Sequence, residues 1–242
     1  MRRNGEVLHL SRIGVWLAIT LLAAAGLASG PTPAWADDVM DATQLVERAR
    51  HTVDNFAADP NMEGLRDLVK RAKGVFIAPQ VLRGAFIFGA SGGSGVLLAR
   101  DEKSGQWGGP TFHTMGEASF GLQIGGEASE IVLVAMTDRG VAALLSHSIK
   151  LGADANIAVG PIGAGASAAT ANLSADIISF SRSMGLYGGV SVQGAVVASR
   201  EALNKAYYGK DVTSTDILIR RTVTNPHAAG LIEAVAKMAG GK

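Results

Sequence analysis

The sequence predicts an α+β fold with a largely antiparallel β-sheet, curled into a sandwich or partial barrel. Amphipathic helical patterns occur N-terminally, once internally and C-terminally, around a long glycine-rich series of short β-like runs. No regular alternation of helix and strand is present, which disfavours a parallel sheet. Helices that flank a series of strands are typical of α+β domains, so we expect them to cover a mainly antiparallel sheet.

Residues 1–36 have the pattern of a signal peptide. Three arginines accompany an apolar run, Ile13–Leu27, and Ala34–Ala36 fits the A-x-A cleavage pattern. The apolar run is too short for a comfortable membrane span. We therefore expect cleavage after Ala36 and a periplasmic or secreted protein, with an uncleaved anchor as the alternative.

Charge and cysteine content narrow the function classes. The chain has a formal charge of +1, and removal of residues 1–36, with three arginines and one glutamate, changes it to −1. A basic surface for nucleic acid is therefore not supported. The chain has no cysteine, so neither a disulfide nor a cysteine-linked lipid anchor can form.

Residues 37–73 predict two amphipathic helices. The first, Val39–Phe56, carries apolar residues at steps of three and four and should end before Asp59–Pro60. The second starts with Asn61 as a possible cap and ends in a group of basic residues, Lys70, Arg71 and Lys73. Cations there suit the helix dipole, and they could also attract anionic lipid headgroups.

The stretch from 74 to 100 predicts three short strands separated by two tight connections. The β-like runs are 75–77, 85–88 and 96–98. Pro79–Gln80 and Gly92–Gly93 are residue pairs that favour turns, so we expect the chain to reverse at both.

The rest of the chain predicts further strands and short helices. Residues 111–115, 119–125 and 131–136 have strand patterns, as do three runs between 177 and 199. Thr137–Asp138 should cap a helix that follows. The expected helices are 139–147, 201–208, 213–219 and 227–239, the last opened by Asn225–Pro226.

Gly89–Gly93 fits the G-x-S-x-G pattern of a hydrolase nucleophile elbow, with Ser91 as the nucleophile. An elbow needs a substantial helix after the serine, whereas the residues after Ser91 have the length of a strand. A serine hydrolase is thus the alternative function, and a hairpin turn is the simpler interpretation. The acid and base would come from Asp138, Asp154, Asp176, His147 and His227.

Metal and cofactor motifs are not evident. The histidines after the signal segment lie far apart, and no cysteine accompanies them, so a metal site is not predicted. The glycines at 89–95 lack the Lys-Ser/Thr of a P-loop. Gly163–Gly165 lacks the helix and acidic residue of a dinucleotide fingerprint, so we expect no cofactor and no catalytic residue.

Four segments resemble the SYLF domain family: 72–100, 105–140, 150–168 and 179–209. Together they place a SYLF-like lipid-binding domain at 72–220, with a C-terminal helix and tail at 221–242. The resemblance implies phospholipid binding, with phosphoinositides and actin as ligands of eukaryotic members. For an exported chain of bacterial type, we expect actin not to be a partner.

We therefore expect an exported, non-catalytic protein that binds anionic phospholipid at the membrane surface of the cell envelope. The expected lipid-binding residues form one positive patch beside the glycine-rich sheet edge: Lys70, Arg71, Lys73 and Arg83. The alternative site is an apolar cleft between helix and sheet, with acyl chains as the main contact. The lipid species and the oligomeric state are not predicted.

Overall fold

The computed structural model describes residues 34–85, 88–120, 125–161, 163, 174–183, 186–187 and 192–240. Two helices come first in this part of the chain. Helix α1 is Ala34–Ala58 and helix α2 is Glu63–Val69. The predicted signal segment lies outside the described residues except for Ala34–Ala36, which begin α1. The chain divides into two units between Asp37 and Asp38, and the core and sheet belong to the second.

The apolar stripe of α1 is buried, as its spacing predicted. Its buried side chains are Ala42, Leu45, Val46, Ala49, Val53 and Phe56. The helix ends at Ala58, directly before Asp59–Pro60, as predicted. The cap of the next turn is Asp59 rather than Asn61, because the Asp59 carboxylate accepts the backbone N–H of Asn61 at 2.8 Å.

Nine strands form one sheet in the order β5-β9-β3-β2-β1-β4-β7-β6, with β8 paired to β7. They are β1 Gly74–Ala85, β2 Phe88–Arg100, β3 Trp107–Phe120, β4 Gly125–Ala135, β5 Ser148–Lys150, β6 Ile157–Val159, β7 Ile177–Ser183, β8 Leu186–Tyr187 and β9 Val196–Ser199. Only β6 and β7 pair in parallel among the described strands. The sheet curls into a half-barrel, which confirms the predicted α+β class.

The predicted division of 74–100 into three strands is wrong. Strands β1 and β2 run straight through Pro79–Gln80 and Gly92–Gly93. Pro79–Gln80 instead forms a bulge, across which β1 shifts register against both β2 and β4. The bulge requires glycine at position 93, because a Cβ there would lie 2.2 Å from the Gln80 carbonyl oxygen.

Four more helices follow in the described residues: α3 Asp138–Leu145, α4 Glu201–Tyr208, α5 Ser214–Leu218 and α6 Ala229–Met238. The Thr137 hydroxyl caps α3 by accepting the Gly140 N–H at 3.0 Å. Thr213 and Asp216 form a capping box on α5. These elements confirm the predicted internal and C-terminal helices, and α4 has the predicted bounds.

Both faces of the sheet are buried around the first part of β1. Alternate residues of that strand belong to two separate hydrophobic clusters, one on each face. Val75 and Ile77 pack with the apolar residues of α1, α2 and α6. Phe76 and Ala78 pack on the opposite face with residues of α3 and α5. Beyond Val81 the strands leave this double cover, and Leu82 is 56% exposed. The outer halves of β1 and β2 are thus where side chains on the sheet meet solvent.

Candidate functional site

A cleft of about 610 Å³ lies between α1 and the strands β1, β4 and β7. It opens where the covering helix meets the bulge in β1. Its walls consist of Arg48, His51 and Thr52 from α1, Pro79 and Gln80 from β1, Ala128, Ser129 and Glu130 from β4, and Arg182 from β7.

The local sequence explains both walls. Arg48, His51 and Thr52 are three and four residues apart, so they share one face of α1. On the sheet side, the bulge places an extra residue in β1 and interrupts the ladder on both sides of that strand. Pro79 suits this position because it has no backbone N–H to leave unpaired.

Glu130 anchors one wall of the cleft. Its carboxylate accepts a hydrogen bond from the buried Thr52 hydroxyl at 2.8 Å and one from Arg182 Nε at 2.5 Å. The Arg182 guanidinium also lies over the Phe56 ring, 5.9 Å from its centroid. The ion pair between strands β4 and β7 is therefore tied to α1 by both Thr52 and Phe56.

Arg48 supplies positive charge that this network does not neutralise. Its side chain is exposed and makes no hydrogen bond or ion pair with any described residue. Among the described wall residues, two arginines against one glutamate leave one excess positive charge. A guanidinium offers several N–H donors in a planar fork, which suits phosphate and carboxylate. The cleft can therefore hold an anion.

The expected lipid-binding residues around the end of α2 are partly engaged. Lys70 pairs with Asp67 at 2.8 Å, and Lys73 pairs with both Asp138 and Glu102 at 2.6 Å. Hydrogen bonds to Asp138 and then Glu102 raise the pKa of Lys73. Arg71 is exposed, and its side chain makes no hydrogen bond or ion pair with another described residue. The structure keeps these three residues in one short segment.

Arg83 lies at the other end of β1, so the expected single patch of four cations is wrong. Arg83 follows Gly74 by nine residues in β1; Gly74 pairs with Ala99 of β2, and Arg83 pairs with Ser91. At about 3.3 Å per residue, Gly74 and Arg83 are about 30 Å apart along the strand. The expected return of Arg83 towards Lys73 needed a turn at Pro79, and the chain forms a bulge there instead. Whether any of the four residues binds lipid stays a prediction.

Ser91 lies within the first part of β2, between Arg83 on β1 and Glu117 on β3. The strand continues to Arg100, so the helix that a nucleophile elbow needs does not follow the serine. Within the described residues, no hydrogen bond joins the Ser91 side chain to a histidine or an aspartate. The G-x-S-x-G match thus has neither the turn nor the partners of a hydrolase.

The described residues give no support for a metal site or for a membrane-spanning helix. They contain no group of three or more His, Cys, Asp or Glu residues able to hold a metal ion. None of their helices combines the length and apolar composition needed to cross a membrane.

Sequence reasoning missed the residues of the cleft. From the sequence, Arg48 belongs to the polar face of an amphipathic helix and His51 is an ordinary surface or core histidine. Glu130 is interpreted as a solvated residue that flanks a strand, and Arg182 as the end of a strand. The available signal was the presence of opposite charges in two strands with apolar runs, at Glu130 and Arg182. Charges in such strands require a partner when they are buried.

Comparison with known proteins identifies relatives of the chain. Residues 116–238 match the family model described as "Ysc84: Las17-binding protein actin regulator". Protein YSC84 of Saccharomyces cerevisiae is 35% identical over 177 residues, covering 71% of this chain and 37% of that protein. The human SH3 domain-containing YSC84-like protein 1 is 32% identical over 168 residues, covering 69% of this chain and 48% of that protein.

A third relative has a name that refers to a binding partner. LAS seventeen-binding protein 3 of Saccharomyces cerevisiae is 35% identical over 159 residues, covering 64% of this chain and 34% of that protein. The chain thus spans between about a third and a half of the length of these curated relatives. None of the three names describes a catalytic activity. Both the family model and these relatives agree with the resemblance in the sequence, and the chain belongs to the Ysc84 family of SYLF-domain proteins.

Proposed function

We propose that this protein is an exported, non-catalytic domain that binds anionic phospholipid at a membrane surface of the cell envelope. The observation that carries the proposal is the cleft beside α1, where Arg48 is unpaired among the described residues and Arg182 is fixed by Glu130. A phospholipid phosphate matches the excess positive charge and the N–H donors of these walls.

Local charge rather than total charge supports this binding mode. The chain after residue 36 carries a formal charge of −1, so it has no general attraction to an anionic surface. A cation at the surface of an anionic membrane contributes about 1 kcal/mol of attraction. An arginine without an acidic partner in a cleft can supply that contribution where a headgroup enters.

Vesicle sedimentation tests the proposal directly. We expect the protein to sediment with phosphatidylcholine vesicles that contain phosphatidylglycerol, and not with phosphatidylcholine alone. Arg48→Gln should weaken binding about fivefold, the equivalent of about 1 kcal/mol. Lys150→Gln is the matched control, because Lys150 is exposed on strand β5 and its ammonium has no partner among the described residues. Absence of binding at every vesicle composition would overturn the proposal.

A second comparison separates the cleft from the cations predicted from sequence. The quadruple variant Lys70→Gln, Arg71→Gln, Lys73→Gln and Arg83→Gln should bind more tightly than Arg48→Gln does if the cleft is the main site. The reverse order would assign the main contact to those four residues.

The family description raises the possibility that actin is a partner. It names an actin regulator, and LAS seventeen-binding protein 3 is named for a binding partner. These names are in weak tension with the expectation that this chain does not bind actin. An exported chain of bacterial type would not meet actin, so we propose lipid alone. Co-sedimentation with filamentous actin at physiological salt would contradict this part of the proposal.

Export is a separate part of the proposal. The n-region, apolar run and A-x-A pattern within residues 1–36 support it. Mass spectrometry of the protein from a periplasmic or secreted fraction should give a chain that begins at Asp37. A full-length chain that stays in the cytoplasmic fraction would contradict export while leaving lipid binding untouched.

A further inference from the structure

A second, smaller hollow of about 200 Å³ lies beside the cleft, towards the outer part of β1 and β2. It is lined by Leu45 and Arg48 from α1, Pro79, Gln80 and Leu82 from β1, and Gly92, Gly93 and Ser94 from β2. Arg48, Pro79 and Gln80 line both spaces. The two hollows therefore adjoin the same arginine and the same bulge.

The two hollows differ in chemistry. The cleft contains His51, Glu130 and Arg182, whereas Arg48 is the one charged residue among the described walls of the smaller hollow. Those walls also include two leucines, and Leu82 is 56% exposed. The floor at Gly92 is open, since a Cβ built there would meet no atom closer than the Met115 carbonyl oxygen at 3.8 Å. The smaller hollow thus has a mixed lining, in which Leu45, Leu82 and Gly92 form the apolar part and Arg48, Gln80 and Ser94 the polar part. The other charged side chains lie in the cleft.

We propose that the two hollows form one binding site for a single anionic amphiphile. Arg48 and Arg182 hold the phosphate in the cleft, and the first part of an acyl chain lies in the smaller hollow against Leu45, Leu82 and Gly92. This inference rests on the proposed function and narrows it. The protein recognises a lipid molecule by head and chain together, rather than by attraction to a charged surface alone.

The arrangement of residues favours an acyl chain as the occupant of the smaller hollow. An acyl chain covers exposed apolar surface such as that of Leu82, which stabilises the complex by the hydrophobic effect. Arg48 lies at the junction, so the charged and apolar parts of an amphiphile can be held at the same time. Inorganic phosphate is an anion that offers the same kind of phosphate oxygens as the headgroup, but it leaves the smaller hollow unfilled.

Gly92→Val tests the apolar half with little risk to the fold. The open space above Gly92 can accommodate a side chain, and β-branched residues suit a strand. The valine would fill the hollow from its floor. Ser91→Val is the matched control, because Ser91 is the neighbouring residue of β2 and points to the opposite face of the sheet. Leu82→Gln is a second probe, at a side chain already in contact with solvent.

The probes are monomeric dihexanoyl phosphatidylglycerol and inorganic phosphate, measured by titration calorimetry, beside sedimentation with phosphatidylglycerol vesicles. We expect the short-chain lipid to bind at least tenfold more tightly than phosphate, with one lipid per protein. Gly92→Val and Leu82→Gln should each weaken short-chain lipid binding at least fivefold and leave phosphate binding unchanged. Ser91→Val should bind both probes as the native protein does.

The outcomes separate this inference from the proposed function. Vesicle binding with equal affinities for short-chain lipid and phosphate, or with no effect of Gly92→Val and Leu82→Gln, would overturn the shared site and leave the proposed function standing. If the native protein binds neither vesicles nor the short-chain lipid, both are overturned. Loss of folding in Gly92→Val, seen in its thermal unfolding curve, transfers the decision to Leu82→Gln.

Discussion

His113 lies edge-on to Phe76 inside the core, with ring centroids 6.1 Å apart. Its Nε2 is 2.9 Å from the hydroxyl of the buried Thr111, and its Nδ1 has no hydrogen-bond partner among the described residues. Burial lowers the pKa of His113 to about 4, because the charged imidazolium would be placed in apolar surroundings.

This burial predicts a loss of stability in mild acid. In the unfolded chain His113 has the ordinary histidine pKa of 6.5, whereas in the folded chain it binds a proton only near pH 4. The contribution is therefore fully present above about pH 6.5 and decreases as the pH falls towards 4, by about 3 kcal/mol in all. Urea unfolding at several pH values measures it, and His113→Gln should show a smaller decrease over that range. An unchanged pH dependence in His113→Gln would contradict the assignment.

Glu130→Gln should affect stability and lipid binding in opposite directions. Loss of the carboxylate leaves the mostly buried Arg182 without its partner on β4, and should lower the free energy of unfolding by about 2 kcal/mol. It also increases the excess positive charge of the cleft, so vesicle binding should tighten severalfold. Glu117→Gln, which removes the carboxylate 3.5 Å from Arg83 outside the cleft, should leave lipid binding unchanged. Weaker vesicle binding by Glu130→Gln would contradict the assignment of the anion site.

A hydrogen bond and an ion-pair contact connect α4 with α1 through His227. The Tyr207 hydroxyl lies 3.1 Å from His227 Nδ1, and His227 Nε2 lies 3.2 Å from Glu47 Oε1. Tyr207→Phe should lower the free energy of unfolding by about 1 kcal/mol, because it removes one hydrogen bond and keeps the ring. The effects of Tyr207→Phe and His227→Gln should be non-additive in denaturant unfolding. Simple additivity would indicate that the two side chains act independently.

Two glycines of the β1–β2 hairpin should respond differently to alanine. A Cβ at Gly93 would lie 2.2 Å from the Gln80 carbonyl oxygen, while one at Gly84 would meet nothing within 4 Å. Gly93→Ala should thus cost about 3 kcal/mol or more, because backbone has to move. Gly84→Ala should change stability by less than about 1 kcal/mol. Similar unfolding midpoints for the two variants would argue against the bulge.

Local signals determined which parts of the fold could be predicted. The end of α1 followed from Asp59–Pro60. Both bounds of α4 followed from its helical pattern, and the structure ends this helix at Gly209, which has a left-handed φ of 65°. The bulge in β1 was mistaken for a turn because proline and glycine occur in both. What distinguishes them is the pairing of β1 with β2 and β4, and that pairing is not a property of the local sequence.

The cleft depends on contacts between distant parts of the chain. Thr52 and Glu130 are 78 residues apart in sequence, and Glu130 and Arg182 are 52 apart. They meet because β4 lies between β1 and β7 and because α1 covers that part of the sheet. A single sequence gives the strands but not this order, so the cations at the end of α2 were the more visible group.

The extra residue at Pro79 changes the phase of the side-chain alternation in β1. In an uninterrupted strand, Ala78 and Leu82 would point to the same side, and Arg83 would point towards the cleft. The bulge instead puts Val81 and Arg83 on the side of Ala78 and leaves Leu82 facing the hollow. Deletion of Pro79 would therefore restore regular pairing without exchanging the two sides of the outer strand. Such a chain would keep the chemistry of Leu82 and Arg83 while losing the concavity, which separates shape from composition at this surface.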